Sequence, residues 1–131
     1  MAEKGPVLPC PERPLTTNET GVLGWLLDHA AVRDVTSYRV RPLEDLRVVG
    51  TCSCGCASLF LAPDTHPGHP DMLADAMAEY PDGHKADLIL WGKEGEITWL
   101  EVIDYAADDS HRVPEVANLR TYEQWGAENL K

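Results

Sequence analysis

Long hydrophobic runs and basic residues are what this sequence most clearly lacks. No run of about 18 apolar residues occurs, so the sequence predicts no membrane-spanning segment. The N-terminus lacks the apolar stretch of a secretory signal, so we expect a cytoplasmic protein with reduced thiols. Lysine and arginine total 11 against 22 acidic residues, a formal net charge of −11. This charge disfavours nucleic acid and anionic membranes as partners, and it favours either a basic protein partner or simple solubility.

Recognised catalytic motifs are missing as well. There is no Walker loop, dinucleotide-binding fingerprint, nucleophile elbow or HExxH. Asp87 and Glu101 resemble the metal-binding acids of restriction-type nucleases, but Ile103 stands where those enzymes carry a lysine. The acidic charge also argues against a nucleic-acid substrate. The sequence therefore favours a role other than catalysis.

The length of 131 residues suits a single domain. Residues 1–15 carry four prolines, which predict an extended arm before one α+β domain over residues 16–131. Thr16 and Glu19 fit a helix-capping box, and the apolar spacing that follows predicts a helix over residues 18–32.

Strand signals dominate the middle of the chain. Residues 37–41 predict a short strand, and residues 46–62 predict one bent strand or two. The clearest unit is a hairpin over about residues 86–105, closed by Gly-Lys-Glu-Gly. Further helices are predicted from Asp71 to Tyr80 and near residues 115–125. We therefore expect an α+β fold with a small, mainly antiparallel sheet and two or three helices packed on it.

Three of the four cysteines alternate in Cys52-Ser53-Cys54-Gly55-Cys56, and the fourth is Cys10. On a straight strand they would share one face with Leu46, Val48 and Phe60 and would pack as small apolar side chains. A zinc ion needs sulfurs only about 3.8 Å apart, whereas positions i and i+4 of a strand are separated by about 13 Å. The segment can bind zinc only if the chain turns, which Gly55 would permit. The predicted ligands are Cys52, Cys54 and Cys56, with Cys10, His66, His69 or His84 as the fourth.

Two other hypotheses compete with the zinc site. Cys54-Gly55-Cys56 could form a strained, easily reduced disulfide, although no basic side chain stands beside it to lower a thiol pKa. The second hypothesis is an acidic patch that binds a basic partner. It would combine one face of the predicted 71–80 helix with acids that follow the hairpin: Asp71, Asp75, Glu79, Asp104, Asp108 and Asp109.

The segment from Cys52 to Ser58, followed by a hairpin that ends Trp99-Leu100-Glu101-Val102, resembles a family of small uncharacterised bacterial proteins. Those proteins pair a C-x-C-G-C segment with a glycine-turn hairpin ending in Leu-Glu-Val. The resemblance covers about half the chain. It implies a bacterial, actinobacterial-like cytosolic protein and implies no activity.

Three functions are therefore open. The first is a small binding module that holds zinc. The second is an acidic interaction protein of the inhibitor or immunity type, with structural cysteines. The third is a thiol-redox or sulfur-carrier protein.

Overall fold

The computed structural model describes residues 7–52, 57–61, 69–105 and 112–129. In this part of the chain, seven strands form one antiparallel sheet and two α-helices lie beside it. The mixed α+β class is confirmed, but the sheet is larger than predicted and dominates the fold. The strands are β1 (Val7–Pro14), β2 (Arg47–Cys52), β3 (Leu59–Phe60), β4 (Asp71–Glu79), β5 (Lys85–Lys93), β6 (Glu96–Asp104) and β7 (Leu119–Arg120), and the helices are α1 (Thr17–His29) and α2 (Tyr122–Asn129). Neither helix has the length and apolar character that crossing a membrane requires.

The strand order across the sheet is β1-β2-β3-β6-β5-β4-β7. The predicted hairpin is confirmed as β5 and β6, whose turn holds Glu94 and Gly95 at φ angles of 51° and 83°. Positive φ at both central residues gives the twist that a tight hairpin turn needs, and glycine adopts it without steric cost. The predicted proline-rich arm contains β1, which pairs with β2.

The N-terminal strands reach the rest of the sheet through β3, which is only two residues long. Leu59 lies opposite Leu100 and Phe60 opposite Trp99 on β6. Just before β3, the buried Ser58 hydroxyl accepts a hydrogen bond of 2.9 Å from the Val102 amide. The same hydroxyl donates to the Val102 carbonyl at 3.4 Å, so this side chain extends the junction by two bonds beyond the ladder.

The main core lies between α1 and one face of the sheet. Helix α1 starts as predicted: the Thr16 hydroxyl accepts from the Glu19 amide at 3.1 Å, and the Glu19 carboxylate accepts from the Thr16 amide at 2.8 Å. The buried side chains of α1 meet aliphatic side chains of the central strands. They are Val22, Leu23, Leu26 and Leu27 from the helix and Leu73, Leu88, Leu90, Leu100 and Val102 from the strands.

The helix predicted from Asp71 to Tyr80 is wrong, because this segment is strand β4. Its register with β5 shifts between Met72 and Ala74, which indicates a β-bulge. A bulge adds a residue to one strand and breaks the two-residue alternation of buried side chains. Buried residues then recur at spacings of three and four, which imitates a helix.

The predicted strand over residues 37–41 is also wrong. Residues Thr36–Arg39 form a 3₁₀ helix that buries Tyr38. The Asp34 carboxylate accepts from both the amide and the hydroxyl of Thr36, at 3.0 and 2.6 Å. This local turn competes with strand formation.

The C-terminal helix begins later than predicted. Residues Val116–Asn118 form a 3₁₀ turn and β7 follows, so α2 starts only at Tyr122. The Thr121 hydroxyl accepts from the Gln124 amide, and the Gln124 side chain accepts from the Thr121 amide, both at 3.0 Å. This reciprocal cap fixes the start of α2.

The outer edge of β4 is covered along most of its length. Strand β7 pairs with Met77 and Ala78 of β4. The segment after α1 pairs with β4 nearer its start, where Ala31 lies opposite Ala74. The Val32 amide donates to the Leu73 carbonyl at 3.0 Å, and the Arg33 side chain donates to the Met72 carbonyl at 2.7 Å. Covered edges do not pair with strands of other molecules.

Candidate functional site

The Asp87 carboxylate, on β5, is hydrogen-bonded by two tyrosine hydroxyls. Tyr105 donates to one carboxylate oxygen and Tyr122 to the other. Tyr105 follows the end of β6, and Tyr122 is the first residue of α2. Both tyrosines are exposed, at 63% and 42% of their surface. Three separate segments therefore build one carboxylate–tyrosine site, which we call the Asp87 site.

Two further acids lie on the same sheet face. In the register, Asp75 of β4 and Glu101 of β6 both lie opposite Ile89, two positions from Asp87 on the same strand. Directly opposed residues of antiparallel strands share a face, and diagonal neighbours remain within reach of each other. The face thus carries three carboxylates on three neighbouring strands.

The protein environment changes the proton affinity of the site's groups. Burial and the nearby Asp87 charge raise the pKa of Asp75. The hydrogen bond to Asp87 raises the pKa of Tyr105, and burial together with the Asp87 carboxylate raises that of Tyr122. Both tyrosines therefore keep their protons at neutral pH and remain donors to Asp87.

Aromatic side chains adjoin the acids on this face. Phe60, Trp99 and Trp91 stack in a row, with ring centroids 5.5 and 5.7 Å apart. The Trp91 indole N–H donates to the buried Glu101 carboxylate at 3.0 Å. The sequence analysis does not predict the contact between Trp91 and Trp99. These residues are eight positions apart, and the pairing of β5 with β6 brings them together.

The predicted metal ligands fall mostly where no side chain is described. Cys54, Cys56 and His66 lie outside the described residues, as do Asp108 and Asp109 of the predicted patch. Cys10 and Cys52 lie on the paired strands β1 and β2, and His69 is exposed before β4. His84 lies 3.1 Å from Asp82 in the turn before β5. Across the described ranges, no three His, Cys, Asp or Glu side chains are grouped to hold a metal ion.

The strands on either side of the cysteine segment show whether residues 46–60 form one straight strand. Thr51 of β2 lies opposite Leu59 of β3 in an antiparallel pair, so the chain reverses direction between them. A single straight strand from residue 46 to 60 is therefore excluded. The predicted shared face is wrong too, since Leu46 and Val48 join the main core while Phe60 joins the aromatic row.

The predicted acidic helix face does not form, because β4 is a strand. Asp71 lies 3.8 Å from Arg33, and Glu79 lies 3.5 Å from Lys85, so two of the three acids pair with bases. Asp75 alone joins the Asp87 site. Ile103 lies directly opposite Asp87, where the nuclease comparison would need a lysine nearby.

Sequence reasoning missed the two tyrosines of the site. Tyr105 stands at the end of the predicted hairpin, close to the strand of Asp87, so the hairpin register could have paired them. Tyr122 is 35 residues from Asp87. Only the position of α2 beside the sheet brings it there.

Neither a protein-family model, nor a curated protein, nor a solved structure matches this chain. The resemblance to small bacterial proteins with a C-x-C-G-C segment stays a prediction.

Proposed function

We propose that this chain is an acidic protein-interaction domain that binds a basic protein through the Asp87 site. The observation that carries the proposal is the Asp87 carboxylate held by the hydroxyls of Tyr105 and Tyr122. A carboxylate fixed by two donors loses little freedom when a lysine or arginine binds to it. Tyrosine is also enriched in protein interfaces, where its ring packs and its hydroxyl bonds.

The whole-chain charge supports the same partner. A net charge of −11 attracts a basic protein over a distance and speeds its association, particularly at low salt. Inhibitors and immunity proteins work in this way when their targets are basic. A cytoplasmic bacterial setting belongs to this proposal.

Affinity capture tests the proposal. The immobilised full chain, incubated at low salt with a lysate of the source cells, should retain a basic protein that elutes as salt is raised. Asp87→Asn should abolish retention, and Tyr122→Phe, which keeps the charge, should weaken it.

Asp45→Asn is the matched control, because Asp45 is an exposed acid in a 3₁₀ turn away from the site. It removes the same charge and should leave capture unchanged. If no basic protein is retained at low salt, or if both asparagine variants behave alike, the Asp87 site is not the binding surface.

A second proposal concerns zinc at Cys52, Cys54 and Cys56. The reversal of the chain between β2 and β3 favours it, because a chelate requires the segment to turn. Protein purified without chelator should contain about one zinc per chain, and the triple serine variant should contain none. Cys10→Ser, His66→Ala and His69→Ala then identify the fourth ligand. Metal-free protein that stays folded in EDTA contradicts this proposal, and a single fast-reacting thiol would instead support the redox alternative.

A further inference from the structure

Two recesses lie on either side of one ion pair near α2. The first, of about 450 Å³, is lined by residues of β4, β7 and α2. The second, of about 430 Å³, lies between α1 and α2. Both are lined by Arg120 and Glu128, whose Nε and Oε2 atoms are 3.2 Å apart. The ion pair therefore lies between the two recesses, which together we call the groove.

Each recess has a tryptophan among its lining residues. Trp125 lines the first, beside Met77 and Tyr80, and we call it the Trp125 recess. Trp25 lines the second, where it stacks on His29 with ring centroids 5.0 Å apart, and we call it the Trp25 recess. Aromatic walls provide faces for apolar side chains and for cations.

The charges around the Trp125 recess favour a cationic occupant. Glu79 and Glu128 both line it, against one lining cation, Arg120, while Lys85, which lies 3.5 Å from Glu79, is not part of the lining. The Arg120 guanidinium donates to Glu128 and to the carbonyls of Ala117 and Leu119, so it is already engaged in three bonds. The net charge of −11 further opposes an anionic ligand.

We infer that this groove binds an extended segment of the basic partner, with a lysine or arginine side chain in the Trp125 recess and an apolar side chain in the Trp25 recess. The inference rests on the proposed function and extends it. Met77 connects the two surfaces, because it lies directly opposite Asp87 in the register and also lines the Trp125 recess. The partner's cation stacks on Trp125 and shares the Glu128 carboxylate with Arg120.

The four tryptophans of the chain give a direct readout. In an NMR titration of the full chain, a capped peptide of alternating lysine and leucine should shift the indole N–H signals of Trp125 and Trp25 together and saturably. The buried Trp91 and Trp99 are internal references and should move little. A peptide of the same length with glutamate in place of lysine should shift none of the four.

Matched variants on α2 test the recess itself. Trp125→Leu should weaken the peptide about two- to five-fold, the loss expected for one exposed cation–π contact. Glu128→Gln should weaken it by a similar factor, and Arg120 keeps its carbonyl bonds in that variant. Glu123→Gln removes an exposed charge from the same helix outside both recesses and should leave the affinity unchanged.

The outcomes separate this inference from the proposed function. Equal binding of lysine and glutamate peptides, equal effects of the two glutamine variants, or no shift of Trp125 at saturating peptide would each overturn the groove. If a basic peptide perturbs Tyr105 and Tyr122 but neither Trp125 nor Trp25, the Asp87 site stands and the groove is refuted. If the groove indoles shift while Asp87→Asn leaves partner capture intact, the groove stands without the Asp87 site.

Discussion

Glu101 and Trp91 show how one buried polar contact affects this sheet. The Glu101 carboxylate is buried and accepts the Trp91 indole hydrogen at 3.0 Å. Burial raises the pKa of Glu101 above its ordinary value of 4.5, and the bond from Trp91 only partly opposes this. The ionised form is therefore disfavoured in the folded state.

Glu101→Gln should stabilise the protein at neutral pH. A group whose pKa is raised on folding costs stability once it ionises, so the wild type loses stability as pH rises from 4.5 through the higher folded-state pKa. Glutamine keeps an acceptor for Trp91 and carries no charge. Urea unfolding at a series of pH values should show the two proteins equal in acid and the variant more stable above. Glu96→Gln, an exposed change on the same strand, is the control, and a variant no more stable than this control at neutral pH contradicts the prediction.

Gly92 stands where the sheet permits no side chain. A Cβ atom there would lie 2.7 Å from side-chain carbons of both Leu73 and Tyr38 and 2.8 Å from the Glu96 carbonyl oxygen. Gly92→Ala should therefore destabilise the fold by about 1–3 kcal/mol, as overpacked cores do.

Gly126→Ala is the matched control for that substitution. Gly126 lies within α2 with open space around it, so alanine there should stabilise the fold by about 0.5–1 kcal/mol. Thermal unfolding of both variants distinguishes a steric clash from a general effect of losing glycine. Similar melting temperatures would refute the clash.

At the scale of elements, the local signals predict α1 and the β5–β6 hairpin correctly, but they do not predict the 3₁₀ helix at Thr36–Arg39 or the start of α2. Helix α1 and the β5–β6 hairpin are each specified by adjacent residues: a capping box in one, a turn with Gly95 in the other. The local pattern predicts a helix at β4 because the bulge in this strand depends on pairing with β5. That pairing cannot be seen in the local sequence. The Asp87 site depends on the same kind of distant packing, so the sequence indicates its acids but not its tyrosines.

The cap of α1 also joins the helix to β1. Glu19 accepts from Thr16 and, in two bonds of 2.9 and 3.0 Å, from the Arg13 guanidinium. Burial opposes ionisation, but the bonds from Arg13 and Thr16 and the Arg13 charge together lower the pKa of Glu19 below 4.5. Its contribution to stability is therefore present above pH 4.5 and is lost as pH falls through the folded-state pKa.

Thr16→Ala should cost about 1 kcal/mol of unfolding free energy, the usual value for a lost N-cap. Thr17→Ala, one residue further on and exposed, should cost less. Glu19→Gln should reduce the loss of unfolding free energy that the wild type shows as the pH falls, because glutamine does not titrate. Chemical unfolding at pH 7 and in acid measures both effects. An unchanged loss of unfolding free energy in acid for Glu19→Gln would mean that the contact with Arg13 does not support the fold.

At the scale of the whole molecule, the charge of −11 acts on folding and on binding in opposite directions. Like charges repel within the compact state, and the same charges attract a basic partner. Raising sodium chloride from low concentration to about 0.5 M, which shortens the Debye length to a few ångströms, should raise the melting temperature while it weakens partner capture. Calorimetry and capture over the same salt series check this, and a melting temperature that falls with salt would contradict it.

The two-residue strand β3 separates two parts of the sheet that we expect to differ in local stability. Strands β4, β5 and β6 pair along nearly their whole length, whereas β1 and β2 are joined to them in the sheet through β3. Opening that junction leaves the pairing of the central strands intact, and the N-terminal strands are then held by the packing of Leu46 and Val48 and by the Arg13–Glu19 contact. Amide protons of β5 should therefore exchange with deuterium only on global unfolding, and those of β2 sooner. Hydrogen exchange followed by NMR measures the two rates. Ser58→Ala, which removes the acceptor of the Val102 amide, should widen the difference, and identical protection in both parts would show that the sheet opens as one unit.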